Sequence, residues 1–460
     1  MEETYLAGPS EEGPIKGEVC AILHPRLERA GDVGLRTPQA DLDEAIGLAA
    51  AIDLKVVHSE VIRLQKALPG MMFGKGTVQR IADLLHPEQD DDNQDHGNKI
   101  GLVIVNSTLS PVQQRNLERA LKCKVIDRTG LILEIFGERA RTKEGRLQVE
   151  LAALSYQRSR LVRSWTHLER QRGGLGFVGG PGETQIETDR RLIDERIVQI
   201  KRNLEKVERT RNLHRSARKR VPYRSVSLVG YTNAGKSTLF NHLTKAKVMA
   251  KDQLFATLDP TMRKLVLPSG ETVILSDTVG FISDLPHELV TAFQATLEEV
   301  CQADMIIHVR DIAHPDTDAQ KIDVMDVLQK LKVINNDDAA SDTIMIEVIN
   351  KIDLLSDDEI ATLKNKSSRQ FDTAEAVSAI SGEGLEALCA RIETDLTTHH
   401  ITVNVDVEYQ HGAGVAWLYE YGKVLERRDE EDGIHICVRL SPPDLERLKE
   451  RDDVSLVLDD

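Results

Sequence analysis

One stretch constrains the fold of this chain more than any other. Gly230-Tyr231-Thr232-Asn233-Ala234-Gly235-Lys236-Ser237 fits the pattern G-x-x-x-x-G-K-[ST]. It follows the apolar run Val226 to Val229 and precedes a helix-prone segment from Thr238 to Thr244, the strand, loop and helix context in which this pattern binds phosphate. The glycines let the backbone curl until several N–H groups face one anion, and the helix N-terminus adds partial positive charge. Lys236 is expected to neutralise the outer phosphates, Ser237 to hold Mg2+ through its hydroxyl, and Thr238 to complete the segment at the nucleotide.

Further motifs follow in a set order. In Leu275-Ser276-Asp277-Thr278-Val279-Gly280 a strand end runs into D-x-x-G, where Asp277 can hold the metal through water and the Gly280 amide can meet the γ-phosphate. Asn350-Lys351-Ile352-Asp353 follows the apolar run Ile344 to Ile349, and its aspartate can accept both N–H groups on the base edge of guanine. Ser378-Ala379, with Ile380 next to it, matches the loop whose backbone amide caps the guanine oxygen. Each match is weak alone. Together, in this order and each ending a predicted strand, they specify GTP and GDP rather than adenine nucleotides.

Two loops carry the switch. Leu254-Phe255-Ala256-Thr257-Leu258-Asp259-Pro260-Thr261 lies between the phosphate loop and D-x-x-G. A threonine in this position completes the magnesium shell when the γ-phosphate is present; Thr257 is the choice and Thr261 the competitor. Phe255, Ala256, Leu258 and Asp259 are expected at the nucleotide with it. The second switch begins after Gly280 with Phe281-Ile282-Ser283-Asp284-Leu285-Pro286. GTPases of the Ras type carry a glutamine there to orient the attacking water. Phe281 cannot do so, which predicts slow intrinsic hydrolysis and help from a partner, a backbone group or a cation. The groups expected to act in the reaction are therefore Lys236, Thr257 and the Gly280 amide.

At 460 residues with a formal charge of −16, the chain is long enough for about three domains. The average charge hides an asymmetry, because between Arg141 and Ser225 basic residues outnumber acidic ones by roughly two to one. That block is where a polyanion would bind, although mixed charge on helices is as often a solvated face. The five cysteines are far apart and read as small buried residues of a reducing compartment. No apolar run approaches the length of a membrane span. The expectation is a soluble, cytoplasmic protein, with peripheral association at a membrane left open.

Residues 1 to 16 read as a flexible tail. From 17 to 145 short apolar runs (Val19 to Leu23, Lys55 to His58, Ile100 to Val105, Lys124 to Ile126) alternate with helical ones (Leu42 to Ile52, Val78 to Leu85, Pro111 to Leu121 capped by Ser110), the pattern of an α/β layer with a largely parallel sheet. The acidic stretch Glu88 to Asp95 reads as a loop. From 146 to 224 Leu147, Leu151, Leu154, Leu161, Trp165 and Leu168 recur at heptad spacing, and so do Ile193, Ile197, Ile200, Leu204 and Val207, which predicts two long helices in a coiled-coil hairpin. Gly173 to Gly182, six glycines in ten residues, would form its tip, and the second helix ends in a dense basic run from Arg209 to Arg220. The GTPase domain should cover 225–397 and a small α+β appendage 398–460.

Beyond the motifs common to all such GTPases, several stretches are specific: Leu109-Ser110-Pro111-Val112-Gln113-Gln114-Arg115-Asn116-Leu117-Glu118, Val125-Ile126-Asp127-Arg128-Thr129, Leu147-Gln148-Val149-Glu150-Leu151, Gly180-Pro181-Gly182-Glu183-Thr184, Thr188-Asp189-Arg190-Arg191, and the switch segment from Phe255 to Thr261. On these the chain resembles the HflX family, ribosome-associated GTPases of the Obg-related group. The resemblance implies a protein, expected to be monomeric, that docks on the large ribosomal subunit and its rRNA. It implies a GTPase that splits or rescues stalled ribosomes under stress. The hairpin tip and basic helix end would then meet rRNA through backbone charge and shape. Asn233 matches the asparagine that binds K+ in some related GTPases, the alternative being a residue merely tolerated in the loop. Val309-Arg310-Asp311 departs from the family with a charge in place of an apolar residue, expected at a strand edge. A second reading is an RNA-binding or ribosome-assembly protein whose GTP state controls attachment and release.

Overall fold

The computed structural model describes residues 17–27, 36–86, 100–171, 181–218, 223–246, 254–283, 294–334, 343–356, 358–360, 374–398, 401–430, 433–440, 442–449, 451 and 453–457. The expected N-terminal tail, the acidic stretch, most of the glycine-rich tip and the second switch beyond Ser283 lie outside them.

The N-terminal unit is a parallel sheet flanked by helices. Its strands are β1 (Val19–Leu27), β2 (Lys55–Leu64), β3 (Leu102–Val105) and β4 (Lys124–Asp127), in the order β2-β1-β3-β4. Between them run α1 (Pro38–Ala50), α2 (Lys75–Leu85) and α3 (Pro111–Leu121), and α4 (Arg128–Arg139) follows. Ser110 opens α3 in a capping box with Gln113, which satisfies two N-terminal donors at once. The period of two along β1 and β3 divides the interior: Cys20, Ile22, Leu102 and Ile104 face one core, while Ala21, Leu23, Val103 and Val105 face the other. Helix α4 was not evident in the sequence. It starts directly at the end of β4, where Asp127 caps it by accepting from the Gly130 N–H at 2.8 Å.

Two long helices, α5 (Lys143–Gln171) and α6 (Pro181–Arg218), pack along each other. Ile197 and Ile200 are buried on α6, and Val149 and Ala152 on α5. Asp127 fixes α5 to the first sheet, because it is fully buried and accepts from Tyr156 Oη at 2.5 Å and Arg160 at 2.6 Å.

The third unit carries the phosphate loop. Its sheet has the order β10-β9-β8-β5-β7-β6, with β5 (Ser225–Gly230), β6 (Thr261–Val266), β7 (Thr272–Asp277), β8 (Met305–Asp311), β9 (Ile344–Asn350) and β10 (Glu375–Ala376). All neighbours are parallel except β6, antiparallel to β7. The chain reverses its direction of travel across the sheet at β5, so the loop after β5 sits at the switch point where α/β sheets bind ligands. Helices α7 (Lys236–Thr244), α8 (Gln294–Cys301), α9 (Thr317–Lys330) and α10 (Leu385–Thr398) cover the faces. Arg310 corrects one expectation: β8 is an interior strand, and the two terminal nitrogens of the guanidinium are paired there with Glu347 on neighbouring β9 and with Asp318 at 2.6 Å.

The last unit is an antiparallel sheet, β12-β13-β11-β14, made of β11 (Ile401–Val407), β12 (Lys423–Glu430), β13 (Gly433–Leu440) and β14 (Ser455–Val457), with α11 (Gly412–Tyr421) and α12 (Pro442–Lys449). Among the described residues no helix is long and apolar enough to cross a membrane.

The first and third units share one hydrophobic core. Leu48, Ile132, Phe136 and Val149 of the N-terminal side belong to the same buried cluster as Tyr231, Phe255, Leu258, Phe281 and Leu328. The N-terminal unit therefore lies against both switch segments.

Candidate nucleotide site

The phosphate loop closes as its residue types require. Gly230 ends β5, and Asn233 and Gly235 take left-handed backbone angles, φ 61° and 92°, which asparagine tolerates and glycine adopts freely. At Gly235 there is no room for anything larger, since a Cβ would lie 2.2 Å from Asn350 Nδ2. Lys236 is buried, and its ammonium donates to the carbonyls of Gly230 at 3.0 Å and Tyr231 at 2.7 Å. Burial pushes its pKa down to about 8, against the opposing pull of Asp277.

Three oxygens meet beside the loop. Ser237 Oγ and Thr257 Oγ1 both donate to Asp277 Oδ2, at 2.7 and 2.9 Å, and lie 2.9 Å from each other. Asp277 Oδ1 is buried with no hydrogen-bond partner, and burial raises the carboxyl's pKa despite the two hydroxyls and Lys236. Two hydroxyls, a carboxylate and one orphaned carboxylate oxygen are the hard donor set that suits Mg2+, directly or through water. Of the two candidate threonines Thr257 is the one brought here; Thr261 opens β6, in register with Asp277.

Thr232, Asn233, Gly235, Lys236, Ser237, Thr238, Phe255, Ala256, Thr257, Thr278 and Gly280 line one cleft. Gly280 lies so close that a Cβ on it would be 3.1 Å from Lys236 Nζ. The Thr278 hydroxyl ties the D-x-x-G segment to β5 by donating to the Leu228 carbonyl at 2.6 Å.

Other expected residues are placed differently. Ala234, Val279 and Leu258 turn their side chains into the hydrophobic interior. The Tyr231 ring is buried toward the N-terminal unit. Asp259 points away from the cleft and accepts from the Arg141 and Thr142 backbones. These five side chains are unavailable to a nucleotide; their sequence neighbours face it.

On the base side the loops are stapled together. Asn350 Nδ2 donates to the Ala234 carbonyl at 2.8 Å, and its Oδ1 accepts from the Ala379 N–H at 3.0 Å, so this side chain joins the phosphate loop to the Ser378-Ala379 loop. Ser378 Oγ donates to Asp353 Oδ1 at 2.6 Å, leaving the other carboxylate oxygen outside that bond. Lys351 pairs with Asp311 at 2.7 Å. Ile380 is exposed.

Phe281 is buried and zipped to the phosphate loop. Its N–H donates to the Gly230 carbonyl at 3.1 Å, and its carbonyl accepts from the Thr232 N–H at 2.7 Å. The ring thus faces the core rather than the site of attack.

Sequence reasoning missed the group that backs the loop. Glu44 of α1 is held, largely shielded from solvent, between Arg128 and Arg36, the latter at 3.1 Å, and accepts from Tyr231 Oη. Burial alone would raise its pKa, but Arg128, Tyr231 and Arg36 outweigh it and hold the carboxyl below its ordinary value. Arg128 also donates to Ser283 Oγ at 2.8 Å and to Asn106 Oδ1 at 2.8 Å, and the Ser283 N–H donates to Tyr231 Oη at 2.7 Å. One buried ionic node therefore joins α1, the start of α4, the phosphate loop and the first residues of the second switch. Arg128 lay within a family-specific stretch; Glu44 sits in a helix the sequence predicted but belongs to no motif, so it carried no signal.

Similarity to known proteins agrees with this geometry. Residues 225–351 match a family model described as "50S ribosome-binding GTPase", 39–137 and 139–218 match the N-terminal and middle regions of GTP-binding GTPases, and 362–453 match an HflX C-terminal domain. The chain is 49% identical over 440 residues to a protein named GTPase HflX from Magnetococcus marinus, covering 96% of each chain. It is 46% identical to GTPase HflX of Escherichia coli, covering 94% of this chain and 96% of that one. Among solved structures it resembles, at 22% identity and a TM-score of 0.41, a GTP-binding protein from Sulfolobus solfataricus in complex with GDP, covering 83% of this chain and 99% of that one. The chain belongs to the HflX family of GTPases, and it is a GTP-binding, GTP-hydrolysing enzyme.

Proposed function

We propose that this GTPase, of the Obg-related group, binds the large ribosomal subunit through its rRNA and splits or rescues stalled ribosomes under stress, acting as a monomer in the cytoplasm. The observation that carries the reading is the residue after Gly280: Phe281 is locked in the core, so the side chain at this position does not orient water. An enzyme so built needs a partner to complete its site, and the family description of the nucleotide unit names a ribosomal one.

In the proposed mechanism Ser237, Thr257 and Asp277 would hold Mg2+, which would supply positive charge to offset that of the phosphates. Lys236 exchanges its two backbone carbonyl partners for phosphate oxygens. The Gly280 amide meets the γ-phosphate, and Asp353 reads the guanine edge. The glycine-rich segment 173–182 and the basic end of α6 are proposed as rRNA contacts. Asn233, already suited to its left-handed backbone, is a proposed K+ ligand.

The test is GTP turnover with and without purified large subunits at physiological salt, in sodium and then in potassium. Strong stimulation by subunits, abolished by deleting residues 173–182, supports the reading. Slow turnover unchanged by subunits overturns it.

A further inference from the structure

The first switch segment touches the N-terminal side at three points. Leu254 lies over α1, so near that a Cβ on Gly47 would be 3.1 Å from its Cδ1. Phe255, at φ 56°, stands edge-on to Phe136 of α4 with ring centroids 4.7 Å apart. Asp259 makes the third contact, and it is polar.

Asp259 Oδ2 accepts from the Arg141 N–H at 3.1 Å and the Thr142 N–H at 3.0 Å, while Oδ1 accepts from the Thr142 hydroxyl at 2.5 Å. Thr142 is the residue on which α5 starts. Its carbonyl accepts from the Arg146 N–H at 3.0 Å, and its hydroxyl accepts from the Gly145 N–H at 2.9 Å. By taking the hydroxyl proton, Asp259 turns the oxygen lone pair toward Gly145 and so sets the cap of a 29-residue helix. Its negative charge also stands at the positive end of that helix. Gly145 is required by the fit, because a Cβ there would lie 2.5 Å from Asp259 Oδ1. Two residues before Asp259, Thr257 reaches Ser237 and Asp277.

We propose that Asp259 is a positioning residue for Thr257. It ties the first switch to the start of α5, so that Thr257 is held over the magnesium donors and the presence of the γ-phosphate in turn decides how firmly α5 is capped. The inference rests on the reading of Thr257 as a magnesium ligand of the GTP state. Coupling of this kind is reciprocal: whatever stabilises the capped start of α5 also favours the closed switch. Since α5 is the first arm of the hairpin, one carboxylate links the hairpin to the γ-phosphate subsite.

The full-length chain is compared with Asp259→Ala, Asp259→Asn, Gly145→Ala and, as a reference, Thr257→Ala. The readouts are Kd for GDP and for a non-hydrolysable GTP analogue in Mg2+, kcat and KM for GTP, and hydrogen exchange at the Gly145 and Arg146 amides. Asp259→Ala and Gly145→Ala should each weaken the analogue about tenfold while GDP stays within about twofold, the range typical of such coupling. The Gly145 variant keeps every polar group, so its effect cannot be charged to a lost carboxylate. Asp259→Asn should recover part of the loss, because an amide oxygen still accepts. In the parent chain, replacing GDP by the analogue should slow exchange at both amides, and Asp259→Ala should erase that difference. If Thr257→Ala shifts the analogue-to-GDP ratio but the Asp259 and Gly145 variants leave ratio and exchange unchanged, the tie is refuted and the magnesium reading stands. If Thr257→Ala leaves the ratio unchanged as well, the magnesium reading fails and the proposal falls with it.

Discussion

Replacing Phe281 by glutamine restores, on paper, the residue that Ras-type GTPases use to orient water. The structure predicts the opposite outcome, a weaker fold with no gain in rate. Phe281 is 1% exposed, and its backbone is bonded on both sides to the phosphate loop, so the side chain at this position is aimed into the core whatever its chemistry. Truncating a buried phenylalanine costs about 3–5 kcal/mol. The methylenes of glutamine return about 1 kcal/mol of that, and burying an amide without partners adds about 1–3 kcal/mol. The net loss is about 5 kcal/mol, a large part of the 5–15 kcal/mol that holds a typical domain. Urea unfolding, followed by release of a fluorescent guanine nucleotide, measures the loss, and single-turnover GTP hydrolysis at low temperature measures the rate. A Phe281→Gln variant that keeps its urea midpoint and hydrolyses GTP tenfold faster would show that the segment after Gly280 swings out freely, and would refute the reasoning.

Two further outcomes follow from other parts of the structure. Gly235→Ala should weaken GDP binding about a hundredfold, because a left-handed alanine costs about 1–2 kcal/mol and displacing Asn350 from the Ala234 carbonyl adds about 1–1.5 kcal/mol; a loss below fivefold in a nucleotide titration contradicts this. His308, buried on β8, has its pKa lowered from 6.5 to about 4 by burial, against the pull of Glu347. The folded state therefore favours the neutral ring, so its stabilisation is complete above about pH 6.5 and is lost as pH falls toward 4. Between pH 7 and 5 this should remove about 2 kcal/mol, and His308→Leu should flatten the pH dependence of the urea midpoint by that amount; an unchanged slope excludes it.

Much of the site was legible in the chain because its chemistry is local. A phosphate loop is built from its own backbone and the helix that follows, so Gly230 to Ser237 predicts strand, loop and helix before any neighbour is known. The same holds for the α3 cap at Ser110 and for the apolar runs that become β1 and β3, where the cap residue and the run lengths are sufficient. Motif order also pointed to Asp277 and Thr257, and the structure places both beside Ser237.

Other features have no local cause. Helix α4 was missed because Asp127 both ends a strand and caps the helix, leaving no loop to announce it. Arg310 was expected at an edge because strand order is not written in strand sequence; only the placement of β9 beside β8 supplies Glu347. Asn350 carries a base-reading motif, yet its hydrogen bonds run to Ala234 and Ala379, partners far from it in sequence. Sequence alone determined the nucleotide chemistry, since each group that makes it sits in a short motif whose strand, loop and helix context is local, and the order of the motifs along the chain identifies them together. The tertiary fold decided how that site is held: Glu44 against Tyr231, Arg128 against Ser283 and Asp259 against Thr142 join residues a hundred or more positions apart. Such pairs leave no periodic trace and acquire meaning only when two hydrophobic faces close into one core.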